Sequence, residues 1–186
     1  SKKEFIYQNK LIQGKVMGIT NNFFSILNNQ INGRVFYAFD ESPVCIVNEI
    51  VVKDLFFNVN PVGQKIRIAN TVFHIIGVSY KSSNFNDENF SFSVNEPVAY
   101  IPFQTYISRI PQSLSGEEES VKNKKEIPPI SRDKIDRIFL QVHSIDELAA
   151  TEKLLMQVLS SRISKESFQI IVPLEILRQH QKSKRI

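Results

Sequence analysis

The pattern that most constrains the fold is a β-hairpin signature between residues 60 and 79. Asn60-Pro61-Val62-Gly63 predicts a tight turn, because proline presets φ at the second position and glycine accepts a positive φ. Residues 64–69 then alternate apolar and charged side chains, and residues 72–79 form the expected partner strand, with Asn70-Thr71 at the hairpin tip. The middle of the chain is therefore predicted to be rich in β-structure.

Short apolar runs bounded by proline and asparagine predict further elements. Strands are predicted at residues 15–20, 43–48, 97–102, 136–143 and 168–173, and helices at residues 21–29, 49–56, 103–108 and 144–162. Asn48 is expected to cap the helix that follows it. Residues 81–95 and 109–134 are predicted as loops, because the first has little apolar periodicity and the second cannot bury much surface.

The last third of the chain predicts a strand–helix–strand unit. Ser144 and Glu147 have the spacing of a capping box, and the helix they open carries one apolar stripe, formed by Leu148, Leu155, Val158 and Leu159. Pro173 suits the first turn of a further helix, which has no apolar residue from Arg178 to Arg185. Such a helix is marginal alone, so either it continues into a more stable segment or it is a frayed end.

Composition and charge set broad limits. The chain has 186 residues, 42% of them hydrophobic and 23% charged, which is typical of a globular chain of one domain or two small subdomains. No run approaches the roughly 20 apolar residues of a membrane helix, and no signal peptide is seen. The chain is thus expected to be cytoplasmic or a domain of a longer protein. The net charge is +4, and the basic residues are not interleaved with aromatic residues on any one strand. Nucleic acid is therefore not an expected partner.

Residues able to carry out chemistry are few and scattered. His74 lies in an apolar β-run and is predicted to be a partly buried structural residue, and His143 and His180 are not at metal-ligand spacing from it. The single cysteine, Cys45, is predicted to be a buried apolar residue. Paired carboxylates lie in loops or at helix starts, where solvent or the helix dipole favours them: Asp40-Glu41, Asp87-Glu88, Asp146-Glu147 and Glu117 to Glu119. We therefore predict no catalytic, cofactor-binding or metal-binding residue.

Four segments, in order, resemble a known family. They are V-x-G-I-T-x-N-F-F from Val16 to Phe24, N-G-R-V-F from Asn32 with Asp40, the run from Cys45 to Val78 that contains D-L-F-x-x-x-N-P-V-G-Q-K-I-R-I and F-H-I-I-G-V, and V-P-L-E-I-L-R-Q-H-Q from Val172 to Gln181. Over nearly its whole length the chain resembles the extracytoplasmic core domain of MacB-type ABC permeases, which are related to lipoprotein-extracting and FtsX-like permeases.

The resemblance implies an α+β fold. A strand–helix–strand (Porter-like) subdomain would comprise residues 1–32 and 135–186, and a β-rich (Sabre-like) subdomain, residues 33–134, would be inserted in it. The polar tail would lead into a membrane span. Four residues match the family pattern and are expected to serve turn geometry and the core: Phe36, Phe56, Pro61 and Gly63.

The resemblance also implies a function. The domain would not be an enzyme, because the ATPase is a separate cytoplasmic domain. It would lie on the periplasmic or extracellular face of the cytoplasmic membrane, act as a homodimer, dock on a periplasmic adaptor (membrane fusion) protein and serve an outer-membrane duct. No cofactor is implied.

Two alternatives remain open from the sequence. One is an extracellular domain of an FtsX or lipoprotein-release type permease, which binds a peptide, a lipoprotein or a cell-wall hydrolase. The other is a free-standing enzyme, with His74 as the first residue to test.

Overall fold

The computed structural model describes residues 2–37, 40, 43–80, 96–110, 135–164 and 167–172. The strands are β1 (Lys2–Tyr7), β2 (Lys10–Ile19), β3 (Gln30–Gly33), β4 (Val44–Asn48), β5 (Lys65–Ile68), β6 (Thr71–Tyr80) and β7 (Val98–Pro102). The helices are α1 (Phe23–Ile26), α2 (Glu49–Leu55), α3 (Phe103–Arg109) and α4 (Leu148–Ser160), with a 3-10 turn, Ile145–Glu147, before α4. The chain divides into two compact units, Ser1–Ser82 with Ser93–Ile138, and Ser83–Phe92 with Phe139–Ile186.

Six strands of the first unit close into a ring, which we call the barrel. Along the ring each strand pairs with the next in the order β1, β2, β7, β4, β6 and β5, and β5 pairs again with β1. The β2–β7 and β4–β6 pairs are parallel and the others are antiparallel. β3 pairs with the second half of β6, whereas β5 pairs with the first half. Each strand of the ring is thus hydrogen-bonded on both sides.

Alternating side chains fill the barrel. In β5, Ile66 and Ile68 are fully buried while Lys65 and Arg67 are exposed, which is the alternation that the sequence predicts. The same core includes fully buried residues from five other elements, among them Phe5, Cys45, Val51, Leu55, Phe73 and Ile101. This shared apolar interior provides the main stabilisation of the first unit.

A second cluster, of aromatic rings, surrounds α1. The ring centroids of Phe23 and Phe24 lie 5.4 Å apart, and that of Tyr100 on β7 lies 5.7 Å and 5.2 Å from them. Phe36 follows β3 and its ring lies 6.5 Å from Phe24. These edge-on and tilted contacts fix the four-residue α1, which has no side-chain cap of its own.

Asn48 joins α2 to the sheet and confirms the predicted cap. Its Oδ1 accepts hydrogen bonds from the backbone N–H of Val51 (3.2 Å) and of Val98 (3.1 Å). Its Nδ2 donates to the carbonyl of Glu96 at 2.9 Å. One amide therefore satisfies the first turn of α2 and the start of β7 together.

The structure contains three stretches of β-strand that the sequence does not predict. β1, the first half of β2 and β3 were not predicted. β1 and β2 form a hairpin in which Tyr7 pairs with Lys10, and Gln8 at the turn has a φ of +52°. β1 and β2 pair with β5 and β7, which come from the predicted insert. The assignment of residues 1–32 and 135–186 to one subdomain, with residues 33–134 inserted, stays a prediction.

The two strands predicted at residues 136–143 and 168–173 were wrong for the part that the structure describes. Neither 136–143 nor 168–172 pairs with any described strand. Ile138 is 68% exposed and Leu140 58% exposed, so the apolar alternation has no sheet to pack on. Alternation alone does not make a strand, since a strand also needs a hydrogen-bonding neighbour.

The helix predicted at residues 144–162 is shorter, as α4 and its 3-10 turn. The Ser144 hydroxyl accepts from the Asp146 N–H at 3.2 Å, one residue earlier than a capping box requires. Leu148, Leu155 and Leu159 are half-buried, but Val158 is 49% exposed. The predicted loop at 81–95, most of that at 109–134 and the helix from Pro173 lie outside the described residues. Within the described ranges, no helix is both long and apolar enough to span a bilayer.

Candidate functional site

The residues considered for catalysis lie apart from one another. Cys45 is completely buried in the barrel, where burial raises the pKa of its thiol and keeps it protonated and unreactive. His74 is half-buried on β6, opposite Lys65, and its backbone N–H donates to the Pro43 carbonyl at 2.9 Å. His143 and the pair Asp146-Glu147 are exposed. Four candidates lie outside the described residues: Glu41, Asp87-Glu88, Glu117 to Glu119 and His180.

A metal centre is not found in the described part of the chain. No three side chains of His, Cys, Asp or Glu lie close enough together there to hold an ion. Two features of the first unit suit recognition of a partner. Each is an exposed aromatic side chain carried by a structured turn.

The first feature is formed by residues 34–37 together with Asp40, which we call the clasp loop. The Arg34 guanidinium contacts the Asp40 carboxylate through two parallel hydrogen bonds, Nη2 to Oδ1 at 2.6 Å and Nη1 to Oδ2 at 3.1 Å. Asp40 Oδ2 also accepts from the Tyr37 backbone N–H at 2.9 Å. The guanidinium carbon lies 4.9 Å from the centre of the Tyr37 ring. The fork geometry and the ring contact together hold Arg34, Tyr37 and Asp40 in place relative to one another.

The charges of the clasp loop support each other. Hydrogen bonds from Arg34 lower the pKa of Asp40 despite its partial burial, and the carboxylate in turn raises the pKa of Arg34. Asp40 is therefore ionised at neutral pH. The side chain of Arg34 is 38% exposed, so solvent screens part of this attraction.

The clasp loop is anchored to the barrel at its start. Gly33 has a φ of +115°, and a Cβ there would overlap the carbonyl oxygen of Ile76. The Arg34 N–H donates to the same carbonyl at 3.0 Å, and Phe36 is buried, as its match to the family pattern implies. Tyr37, in contrast, is 61% exposed. The described residues of the clasp loop thus present the Tyr37 ring to solvent on a backbone held by the Gly33–Arg34 anchor and by Asp40.

The second feature is a double turn between α2 and β5. The Val59 N–H donates to the Phe56 carbonyl at 2.6 Å across Asn58, whose φ is +62°. The Gln64 N–H donates to the Pro61 carbonyl at 3.0 Å, which closes a turn over residues 61–64, one residue later than the predicted Asn60–Gly63 turn. Phe57, at the tip of the first turn, is 71% exposed.

The clasp loop and the double turn differ in how far the sequence predicts them. Proline and glycine predict the second turn, shifted by one residue, but not the turn from Phe56 to Val59. Phe56 and Gly63 have the structural roles expected of them, with Phe56 buried and Gly63 at a φ of +88°. Nothing in the sequence predicts the Arg34–Asp40 pair, because a spacing of six residues is not a helical or strand contact. The signals at these residues were the resemblance of N-G-R-V-F with Asp40 to the family pattern and the glycine before Arg34, which accepts a positive φ.

Comparison with known proteins identifies the family. The model of the MacB-like periplasmic core domain matches residues 3–158. The periplasmic region of MacB from Actinobacillus actinomycetemcomitans superposes with a TM-score of 0.60 at 19% identity, over 98% of this chain and 72% of that one. The extracellular domain of the noncanonic ABC-type transporter YknZ from Gram-positive bacteria gives a TM-score of 0.48 at 16% identity, over 59% of this chain and 54% of that one.

No curated protein matches the chain. The chain spans about half of the YknZ domain's length, 54%. The likeness to the MacB periplasmic region, together with the mixed helices and strands described above, establishes an α+β fold of that kind. Since the family model covers most of the sequence, the chain belongs to the family of MacB-like periplasmic core domains, the extracytoplasmic domains of ABC transporter permeases.

Proposed function

We propose that this domain couples ATP hydrolysis, in a cytoplasmic ATPase domain of its transporter, to movement of a substrate on the outer side of the membrane through an adaptor protein. The observation that carries the proposal is the match of residues 3–158 to the MacB-like periplasmic core domain. The resemblance of the sequence to MacB-type exporters adds that the domain acts as a homodimer and serves an outer-membrane duct.

The construction of the barrel supports a mechanical role. Each of its six strands is hydrogen-bonded on both sides, so bending the barrel would break several backbone hydrogen bonds at once. A stiff body of this kind moves as a unit when it is driven from one side. Force applied to the barrel would therefore reach its surface loops with little loss.

The clasp loop is the proposed adaptor contact. Tyr37 is exposed, and the Arg34–Asp40 pair already fixes the backbone that carries it. A preformed aromatic contact loses less conformational entropy on binding than a mobile one. Tyrosine is also among the residue types that dominate binding energies at interfaces.

The test uses the full-length permease in lipid nanodiscs with the adaptor encoded beside it. We expect the adaptor to raise the ATPase rate, and Tyr37→Ala to weaken the apparent adaptor affinity about tenfold. Tyr80→Ala is the matched control, since Tyr80 is 37% exposed on β6 and away from the clasp loop. An adaptor that neither binds nor changes the ATPase rate contradicts the proposal, whereas binding of a cell-wall hydrolase instead would favour the FtsX-type alternative.

The gene sequence on both sides of this segment gives an independent test. We expect a run of about 20 apolar residues, enough for a membrane helix, on each side. A reading frame without such runs would remove the permease context altogether.

A further inference from the structure

The outer surface of the barrel carries an apolar row that crosses four strands. Leu11 on β2 pairs with Ile6 on β1, Ile6 pairs with Arg67 on β5, and Arg67 pairs with Val72 on β6. Directly paired residues point to the same side of a sheet. With a strand spacing of about 4.8 Å, the four side chains form a continuous row about 14 Å long.

The row faces outward. Ile6 lies between the buried residues Phe5 and Tyr7, and Arg67 lies between two buried isoleucines. Leu11 is 55% exposed and Val72 is 50% exposed. Two large aliphatic side chains are therefore half in solvent, with a guanidinium between them.

The surface around the row is cationic. We define the barrel wall as the outward residues of β1, β2, β5 and the first half of β6. It carries Lys2, Lys15, Lys65 and Arg67, but its strands present a single carboxylate, Glu4. Lys2 lies 3.6 Å from the carboxylate of Glu96. Among the residues that the structure describes, Lys65 and Arg67 have no ion-pair partner.

We propose that the barrel wall binds an acidic segment of a partner protein, in which an apolar side chain is flanked by carboxylates. The apolar side chain would pack on Leu11, Ile6 and Val72. The carboxylates would pair with Lys65 and Arg67, the latter through both arms of its guanidinium. Arginine surrounded by apolar side chains is typical of the residues that contribute most to protein interfaces. This surface is separate from the clasp loop and is independent of the adaptor contact proposed there.

The observations favour a protein segment over a lipid surface. Membrane-binding surfaces insert long or protruding apolar side chains below a cationic rim. Here Leu11 and Val72 lie on the strands of the barrel wall. Glu4 and Gln13, which pair with each other one row away, would meet the lipid headgroups. A second copy of this chain fits less well, because a twofold contact would bring the cations of one wall onto those of the other.

The test is site-specific photo-crosslinking from the full-length chain in its own cells. A photoreactive amino acid replaces Leu11 or Val72 in separate strains, and Phe57 in a control strain, since Phe57 is at least as exposed but lies off the wall. Products are digested and identified by mass spectrometry. We expect both wall positions to crosslink to the same segment of another protein, with at least two carboxylates beside an apolar residue.

Charge reversal then separates electrostatic docking from chance contact. The double variant Lys65→Glu, Arg67→Glu should lower the wall crosslinks about tenfold and leave the Phe57 products unchanged. Exchange of the partner's carboxylates for lysine should restore the wall crosslinks. If the double variant is poorly expressed, raising the salt concentration in membrane vesicles from about 50 to about 500 mM should lower the wall crosslinks of the unmodified chain in its place.

Four outcomes overturn the proposal. These are crosslinks to lipid alone, crosslinks to this chain itself or to a second copy of it, crosslinks to a segment without carboxylates, and crosslinks that neither charge reversal nor salt affects. Absence of any crosslink at both wall positions, with products at Phe57, overturns it as well. None of these results bears on the adaptor-stimulated ATPase rate, so the two proposals fail separately.

Discussion

The barrel and the segment around α4 illustrate two ways in which an apolar pattern can be used. In the barrel the alternating residues of β5 and β6 meet partners on both sides and become fully buried. In α4 an apolar stripe of comparable strength is present, yet no residue of this helix is buried. Every other described residue from 135 to 172 is likewise exposed or only half-buried.

The difference shows that apolar periodicity in a sequence specifies which face of an element is apolar. It does not specify which other element packs on that face. The barrel closes on itself, so the apolar side chains that point inward pack against one another within the same unit. The stripe of α4 has only half-buried positions at Leu148, Leu155 and Leu159. Stability in the first unit should therefore depend on core packing, whereas α4 should respond weakly to the loss of single side chains.

The largest expected contrast is between two truncations. Phe73→Ala removes a fully buried ring from the barrel and should lower the free energy of unfolding by about 4 kcal/mol. Leu155→Ala on α4 should cost about 1 kcal/mol, because that side chain is only half-buried. Urea titration followed by circular dichroism measures both. Equal losses at the two sites would contradict the contrast.

Two glycines of the barrel unit allow two causes of destabilisation to be separated. These are a strained backbone φ and a steric overlap of the added Cβ. Gly33→Ala combines a φ of +115° with an overlap against the Ile76 carbonyl, and should cost about 3 kcal/mol. Gly63→Ala has a φ of +88° but open space around the added Cβ, and should cost about 1 kcal/mol. Thermal and urea unfolding of both variants give the order. A larger loss at Gly63 would show that the overlap with the Ile76 carbonyl is not the main cause of destabilisation at Gly33.

The residues that cap α2, in the barrel unit, and α4 should also differ in how much they stabilise the protein. Asn48→Ala breaks three hydrogen bonds that tie α2 to β7, and should cost about 2 kcal/mol. Ser144→Ala removes one exposed bond before α4 and should cost about 0.5 kcal/mol. Hydrogen exchange of the amides of α2 and of α4 measures each effect locally. Similar changes in protection would mean that α4 is better supported than its exposure suggests.

The smallest expected contrast is between Asp40→Asn in the clasp loop and a control carboxylate, and it depends on pH. Since the folded protein lowers the pKa of Asp40, its ionised form is the one that stabilises. This contribution is fully present above the unfolded pKa of about 4 and is lost as the pH falls through the lower folded value. Asp40→Asn should therefore cost about 1 kcal/mol at pH 7 and progressively less in acid.

Unfolding curves between about pH 7 and pH 2.5 span this window. Asp54→Asn is the control, because Asp54 is exposed at the end of α2. A cost of Asp40→Asn that stays constant with pH would exclude the ion pair as its cause.

The sequence predicted the parts of the barrel that depend on local chemistry. Asn48 as a cap, the positive φ of Gly63 and the alternation of β5 each follow from one residue or one short run. The hairpin tip is shifted by one residue, since Ala69 takes the positive φ at +50° and Ile68 pairs with Thr71.

What could not be predicted depends on distant partners. β1 and β3 are short, mixed in polarity, and become strands because β2, β5 and β6 offer hydrogen bonds to them. Residues 136–143 show clearer alternation but find no such neighbour among the described strands. The Arg34–Asp40 pair likewise requires the folded chain, because its spacing of six residues matches no regular helix or strand contact. The row from Leu11 to Val72 requires it because its members lie on four different strands.

The position of Cys45 has a practical consequence for measuring how the domain moves. It is the only cysteine of the chain, it is completely enclosed by the barrel, and its raised pKa keeps the thiol protonated. Spin labels or fluorophores attached through thiol chemistry should therefore ignore it. A cysteine placed at Tyr37 or Phe57 can be labelled in the otherwise native sequence, so that the surroundings of these exposed positions can be followed without disturbing the core.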